Sequence, residues 1–151
     1  MKLHNVLARA VAGCGHLLRD LAASGIAIGI VSTRERERIE LAAELLPEIR
    51  LSAVIVAKED VSQCKPSPEA VLLALDSLGV AAETALFVGD TDNDVVAAAE
   101  AGVQVFIVGE RCSDAVVHRH SDFVVGNVAS AATWADAVRL LVLGSKRTQA
   151  G

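Results

Sequence analysis

The chain has 151 residues, 52% of them hydrophobic and 22% charged, which is enough for one domain with its own core and excludes an intrinsically disordered segment. A net charge of −5 and an aromatic content of 3% argue against a nucleic-acid backbone, a base-stacking platform or an anionic membrane as partner. No apolar run approaches the length of a membrane span.

The opening residues, MKLHNVLARA, lack the apolar core and small-residue cleavage site of a secretory signal. Cys14, Cys64 and Cys112 are odd in number, widely spaced and without a CxxC, a pattern that fits reduced thiols. A cytoplasmic location is therefore expected. Leu3, Leu7, Ala10, Cys14, Leu17 and Leu21 follow a 3-4 spacing of apolar positions. This reads as an amphipathic helix packed on the domain and interrupted near Gly13 and Gly15, with a seam for a second subunit as the other reading.

Short apolar runs then alternate with helical patterns. The predicted strands are Ile26–Val31, Ala53–Ala57, Ala85–Val88, Val103–Val108 and Phe123–Val125. None shows polar alternation, as expected of parallel strands covered on both faces. The predicted helices are Arg34–Leu46, Pro68–Leu78 with Ser67 as cap, Asp94–Ala101 ending at Gly102, and Ala131–Leu143 ending at Gly144. Trp134 is expected in the core, and His118 and His120 in a solvated turn, since no third ligand is spaced for zinc. The RERER stretch, Arg34–Arg38, reads as a solvated helix face rather than a phosphate clamp. The alternation predicts a doubly wound parallel α/β sheet in a single domain, 1–144, followed by a polar tail, 145–151.

In such a sheet, ligands bind beyond the carboxyl ends of the strands. Three polar clusters fall there. Ser32 and Thr33 follow the first strand, where a hydroxyl and backbone N–H groups at a helix start suit a phosphoryl oxygen, although simple capping also explains them. Lys65 follows the second strand within Cys64-Lys65-Pro66-Ser67-Pro68-Glu69, its backbone confined by prolines. Alone it reads as a surface lysine; beside a phosphate it would neutralise charge. Gly89-Asp90-Thr91-Asp92-Asn93-Asp94 follows the third strand, with three acids in five residues that repel unless a cation lies among them. Mg²⁺ suits such a loop; Ca²⁺ in an EF-hand does not, because Val95 stands at the sixth position and Ala101 at the twelfth. A helix-capping acid cluster is the alternative.

Together, Ile30-Val31-Ser32-Thr33, Lys65–Glu69 and Gly89–Asp94 with Ala101-Gly102 resemble the haloacid dehalogenase-like hydrolases, in particular the phosphoglycolate phosphatase-like branch, over residues 13–130. The resemblance implies a Rossmann-like core without a cap domain and Mg²⁺, held weakly, as cofactor. It implies a small phosphorylated molecule as ligand. Ser32, Thr33 and Lys65 would bind phosphate, Asp90 would bind metal, and Asp94 would support Lys65 or the metal's water shell, with Asp92 behind them.

That family's attacking Asp and general acid lie in an Asp-x-Asp motif on a preceding strand. Before Ser32 this sequence has one acid, Asp20, in a helix directed to the opposite sheet edge; Glu59 and Asp60 lie on another strand. The catalytic pair is thus expected to be missing from these residues. The same motif occupies the family's central strand, between the strands ending at Ser32 and Asp90. Those two strands are expected either to close together or to receive a strand from a second polypeptide. Two functions follow: a phosphatase fragment or half of a split enzyme, or a non-catalytic pseudophosphatase that binds a phosphorylated ligand or a protein.

Overall fold

The computed structural model of the chain describes residues 15–129 and 134–144. In chain order these form α1 (residues 15–23), β1 (Gly29–Val31), α2 (Arg36–Leu45), β2 (Val54–Val56), α3 (Glu69–Leu78), β3 (Leu86–Gly89), α4 (Asp92–Glu100), β4 (Gln104–Val108), α5 (Asp114–Arg119), β5 (Val124–Val128) and α6 (Trp134–Arg139). A single π turn, Leu140–Gly144, extends α6. Every pairing is parallel: β1 with β2, β3 with β4, and β4 with β5.

Side chains alternate between two apolar layers. Ile30 of β1, Leu86 and Val88 of β3 and Phe106 of β4 face α1, α2 and α6. Val31, Phe87, Val105 and Ile107 face α3, α4 and α5. Both faces of each strand are covered, which is why the strands carry no polar alternation. α4 lies close to the sheet because its inner face is built from Val95, Ala97 and Ala98, all fully buried. β5 carries a bulge opposite Val105 and Phe106, and Gly126 faces the Phe106 ring there. A Cβ at Gly126 would fall 2.5 Å from that ring, so only glycine fits without a shift.

The predicted elements recur with trimmed ends. The largest trim is at the first strand, where Ile26–Ile28 form the approach and not the ladder. α2 starts at Arg36, two residues after its expected start. α5 was not anticipated; Ser113 caps it by accepting a hydrogen bond from the Val116 amide, and the His118–His120 segment forms its end. The expected N-terminal helix before residue 15, the start of the last helix at 131–133, the Trp134 side chain, Cys14 and the 145–151 tail lie outside the described residues.

The sheet is divided. Among the described residues, β1 and β2 form one ladder and β3, β4 and β5 another, and no backbone hydrogen bond joins β1 to β3. The two strands expected to flank a slot have not closed together. Between them lies an apolar cleft of about 450 Å³.

Candidate active site

The carboxyl ends of β1, β2 and β3 bring Ser32, Lys65, Asp90 and Asp94 to one edge of the sheet. Lys65 reaches it from the loop after β2. That loop is held by Glu69, whose carboxylate accepts the Ser62 amide at 3.0 Å and the Gln63 amide at 2.7 Å. These two bonds hold the Glu69 carboxyl below its ordinary pKa. Ser67 accepts the Glu69 amide at 3.3 Å just before α3, but the N-cap position is Pro68 and not Ser67 as expected. The Lys65–Pro66 peptide is cis.

The Lys65 ammonium lies 2.6 Å from Asp94 Oδ1, with the two side chains 1% and 0% exposed. It also donates to the Val31 carbonyl at 3.5 Å and lies 5.6 Å above the Phe87 ring centre. The other Asp94 oxygen accepts the amides of Asp90 (3.0 Å) and Thr91 (3.2 Å) and the Thr91 hydroxyl (3.0 Å). Thr91 in return accepts the Asp94 amide, closing a reciprocal cap at the start of α4. Burial raises the Asp94 carboxyl, but the positive charge around it, that of the Lys65 ammonium included, and the Asp90 amide hold the group well below the usual carboxylate range.

Gly89 makes this approach possible. A Cβ there would fall 2.5 Å from the Asp94 Cβ.

Ser32 is buried, and its hydroxyl accepts the Arg34 amide at 3.1 Å, while its own amide donates to the Val56 carbonyl at 2.9 Å. Thr33, half-buried, lies in the same turn. Neither residue caps α2. That role falls to Glu59, whose carboxylate oxygens accept the Arg36 amide at 3.0 and 3.1 Å. The Arg36 guanidinium donates to the Ile55 carbonyl and pairs with Asp60. Within the RERER stretch, Arg36 is thus anchored to the loop after β2 rather than solvated. Asp60 also accepts the Ala57 amide, and that bond, followed by Arg36, lowers its carboxyl.

Asp90 lies at the end of β3, with the Arg111 guanidinium 3.3 Å from Oδ2. Arg111 follows β4, and the loop carrying it is held by Asp92, which accepts the Ser113 amide at 2.7 Å. Burial, followed by the surrounding carboxylates of Asp92, Asp94 and Asp90, pushes the nearby Cys112 thiol up to about 11. Glu59, Glu69 and Arg111 thus serve this edge without having stood out in the sequence. Glu69 had a signal, its place in the Lys-Pro-Ser-Pro-Glu run; the other two had none.

Asp90 is a hard oxygen donor of the kind Mg²⁺ takes, one or two carboxylates being completed by water and phosphate. The resemblance grouped Asp94 with it around the metal, but both Asp94 oxygens are engaged by protein donors, so the contacts present are those that support Lys65. Among the described residues, no three His, Cys, Asp or Glu side chains cluster as a metal cage.

A parallel three-layer α/β fold with an ammonium, a hydroxyl and a carboxylate at the carboxyl ends of its strands defines a Rossmann-like domain. The chain belongs to the haloacid dehalogenase-like hydrolases, whose family model matches residues 1–108. It is 32% identical over 113 residues to pyrophosphatase PpaX of Oceanobacillus iheyensis, covering 74% of this chain and 53% of that protein. It is 38% identical over 85 residues to phosphoglycolate phosphatase of Salmonella paratyphi A, covering 56% and 34%. The chain thus spans about half the length, or less, of these curated relatives. Among solved structures it is similar to a hydrolase from Pseudomonas syringae (TM-score 0.69, 20% identity, 89% of this chain and 61% of the other). It is also similar to CbbY of Rhodobacter sphaeroides in complex with phosphate (TM-score 0.63, 26% identity, 77% and 51%). Among the described residues, no helix is long and apolar enough to cross a membrane.

Proposed function

We propose that this chain is the phosphate- and cation-binding part of a phosphomonoester hydrolase of the phosphoglycolate phosphatase-like kind, acting on a small phosphorylated molecule in the cytoplasm. The observation that carries this reading is the Lys65–Asp94 pair. Burying two charges is a poor way to gain stability, so an ammonium fixed at the ligand edge of the sheet calls for an anionic ligand. Ser32 and Thr33 stand at the neighbouring strand end to bind further phosphoryl oxygens. Mg²⁺ held at Asp90 would supply charge neutralisation to the phosphate oxygens. The similarity to PpaX, phosphoglycolate phosphatase and phosphate-bound CbbY supports the same ligand class. The free thiols Cys64 and Cys112 fit a reducing compartment.

On this reading none of the chain's own carboxylates is assigned as an attacking group. Asp20 pairs with Arg139 at 2.9 Å, Glu59 caps α2, Asp60 pairs with Arg36, and Asp92 holds Ser113. That commitment of its acids to structural contacts favours a second reading, a non-catalytic phosphate-binding relative. In either case these 151 residues alone should not turn over phosphomonoesters.

Calorimetric titration of inorganic phosphate with Mg²⁺, together with an assay of phosphate release from 2-phosphoglycolate, tests both statements. Expected is phosphate binding that Lys65→Met and Ser32→Ala each weaken at least ten-fold, with no phosphate release. Binding unchanged in Lys65→Met would overturn the site. Release that disappears in Asp90→Asn would overturn the expected inactivity.

A further inference from the structure

Two cations serve the carboxyl edge of the sheet, and they lie at different depths. The Lys65 side chain is 1% exposed and closed on Asp94, whereas the Arg111 side chain is 44% exposed. They stand at opposite ends of one run of contacts. Lys65 meets Asp94 at 2.6 Å, Asp94 accepts the Asp90 amide at 3.0 Å, and the Asp90 carboxylate meets Arg111 at 3.3 Å.

The register of the sheet sets Arg111 outward. Gly89 of β3 pairs with Ile107 of β4, which puts Asp90 level with Val108, the last residue of that strand. The chain leaves β4 at Gly109, whose φ of +88° suits glycine, and the Gly109 amide donates to the Val128 carbonyl at 2.8 Å. At the far end of the loop, the Ser113 amide donates to Asp92 at 2.7 Å. Arg111 thus projects from a segment pinned at both ends, whose backbone is already ordered when a ligand arrives.

We propose that Arg111 is a specificity-determining residue that grips a second anionic group of the ligand, a carboxylate or a second phosphoryl, while Ser32 and Lys65 hold the first phosphoryl group. The proposal rests on the phosphate reading of the site and narrows its ligand class. A guanidinium carries five N–H donors in a planar fork that matches two oxygens of either group. Asp90 engages Nη1, and among the described residues the other donors have no protein acceptor. The carboxylates of Asp90 and Asp92 repel a second anion at this place while their charge is unopposed. With Asp90 occupied by a cation, that repulsion falls and the fork is left to the ligand. The grip on the second group therefore depends on a divalent ion.

The test titrates the 151-residue chain by calorimetry at fixed free Mg²⁺ with three phosphonates of equal length. Propylphosphonate has one anionic group, 3-phosphonopropionate ends in a carboxylate, and ethane-1,2-bisphosphonate ends in a second phosphonate. For the native chain, Arg111→Gln and Arg111→Lys, the quantity read is the affinity of each two-group probe relative to propylphosphonate. The native titrations are repeated in EDTA.

Expected is a ratio of at least ten-fold for one two-group probe on the native chain, the larger ratio naming the second group. It should fall below about two-fold in Arg111→Gln and in EDTA, and stay intermediate in Arg111→Lys. A native ratio near one, with propylphosphonate bound, would overturn the role of Arg111 and leave the phosphate site standing. A high ratio that survives Arg111→Gln would assign the second group to the metal and overturn the residue as well. One that survives EDTA would overturn its dependence on the ion at Asp90. Binding of no phosphonate at all would overturn the phosphate reading, and this proposal with it.

Discussion

Lys65 and Asp94 meet at 2.6 Å with neither side chain measurably wet, yet their companions are unequal. Without Lys65, Asp94 keeps two backbone amides and the Thr91 hydroxyl. Without a charged Asp94, Lys65 keeps, among the described residues, a long contact to the Val31 carbonyl and the face of Phe87. Asp94→Asn should therefore cost about 3–5 kcal/mol, the penalty of a stranded buried charge. Lys65→Met should cost about 1–3 kcal/mol, its carboxylate still hydrogen-bonded. Urea denaturation measures both, and the reverse order would show that the turn at Thr91 does not hold the carboxylate.

Gly89 should be intolerant of a single methyl group. Alanine there would collide with Asp94 at the base of its side chain, where no rotamer change relieves the contact. Gly89→Ala is expected to lose about 1–3 kcal/mol and to weaken phosphate binding by displacing Asp94 from Lys65. A variant with unchanged melting temperature and phosphate affinity would contradict this.

Acid should weaken the fold through its depressed carboxyls, Asp94, Glu69, Asp60 and Glu35 among them. A carboxyl whose folded pKa lies below its unfolded value of about 4 contributes stability that is complete above that value. The contribution is lost as pH falls through the folded pKa. The urea midpoint is expected to be nearly flat from pH 7 to 5 and to fall below about pH 4, with a shallower fall in Asp94→Asn. A midpoint that rises on acidification would reverse the sign.

The Arg111 guanidinium competes for Asp90 with any metal ion. Removing one positive charge a few ångströms from a bound cation is worth about 1 kcal/mol at solvent-like screening, or about five-fold in affinity. Arg111→Gln should tighten Mn²⁺ binding by about that factor, read by the loss of free Mn²⁺ signal in electron paramagnetic resonance. Asp90→Asn should abolish the binding in either background.

Cys112 should be a slow nucleophile. With its pKa at about 11, roughly one thiol in a thousand is ionised at pH 8. Alkylation by iodoacetamide should be far slower at Cys112 in the native chain than in urea, with the native rate still climbing above pH 10. A native rate that levels off near pH 9 would place the thiol in a more polar setting.

The sequence disclosed the parts of this site that act through short spacing. Ser32, Asp90 and Asp94 each follow an apolar run within a few residues and Lys65 lies in the loop after another, and parallel β/α order carries them to one edge. What it hid depends on distant partners. Glu59 caps a helix 23 residues away, Arg111 reaches an aspartate 21 positions back, and neither contact leaves a local pattern. α5 was missed because six residues ending in His118-Arg119 offer too short an apolar stripe to read. The opposite error arose at Ile26–Ile28. These residues are as apolar as a strand, but only three residues beyond them pair with β2.

Lys65 hangs from the loop after β2 and Asp94 from the start of α4 beyond β3, so their contact fastens two ladders that, among the described residues, no backbone hydrogen bond joins. α3, packed on β1 and β2 and touching α4, is another tie, and the two apolar layers shared by both ladders are further ones. Such a molecule has a built-in fault line, along which it can open without unravelling either half. Hydrogen exchange should then resolve two cooperative units, with amides of β4 exchanging only through global unfolding and those of β1 and β2 through a smaller excursion. Asp94→Asn should lower the cost of that excursion first, separating in free energy two halves that the intact ion pair holds together.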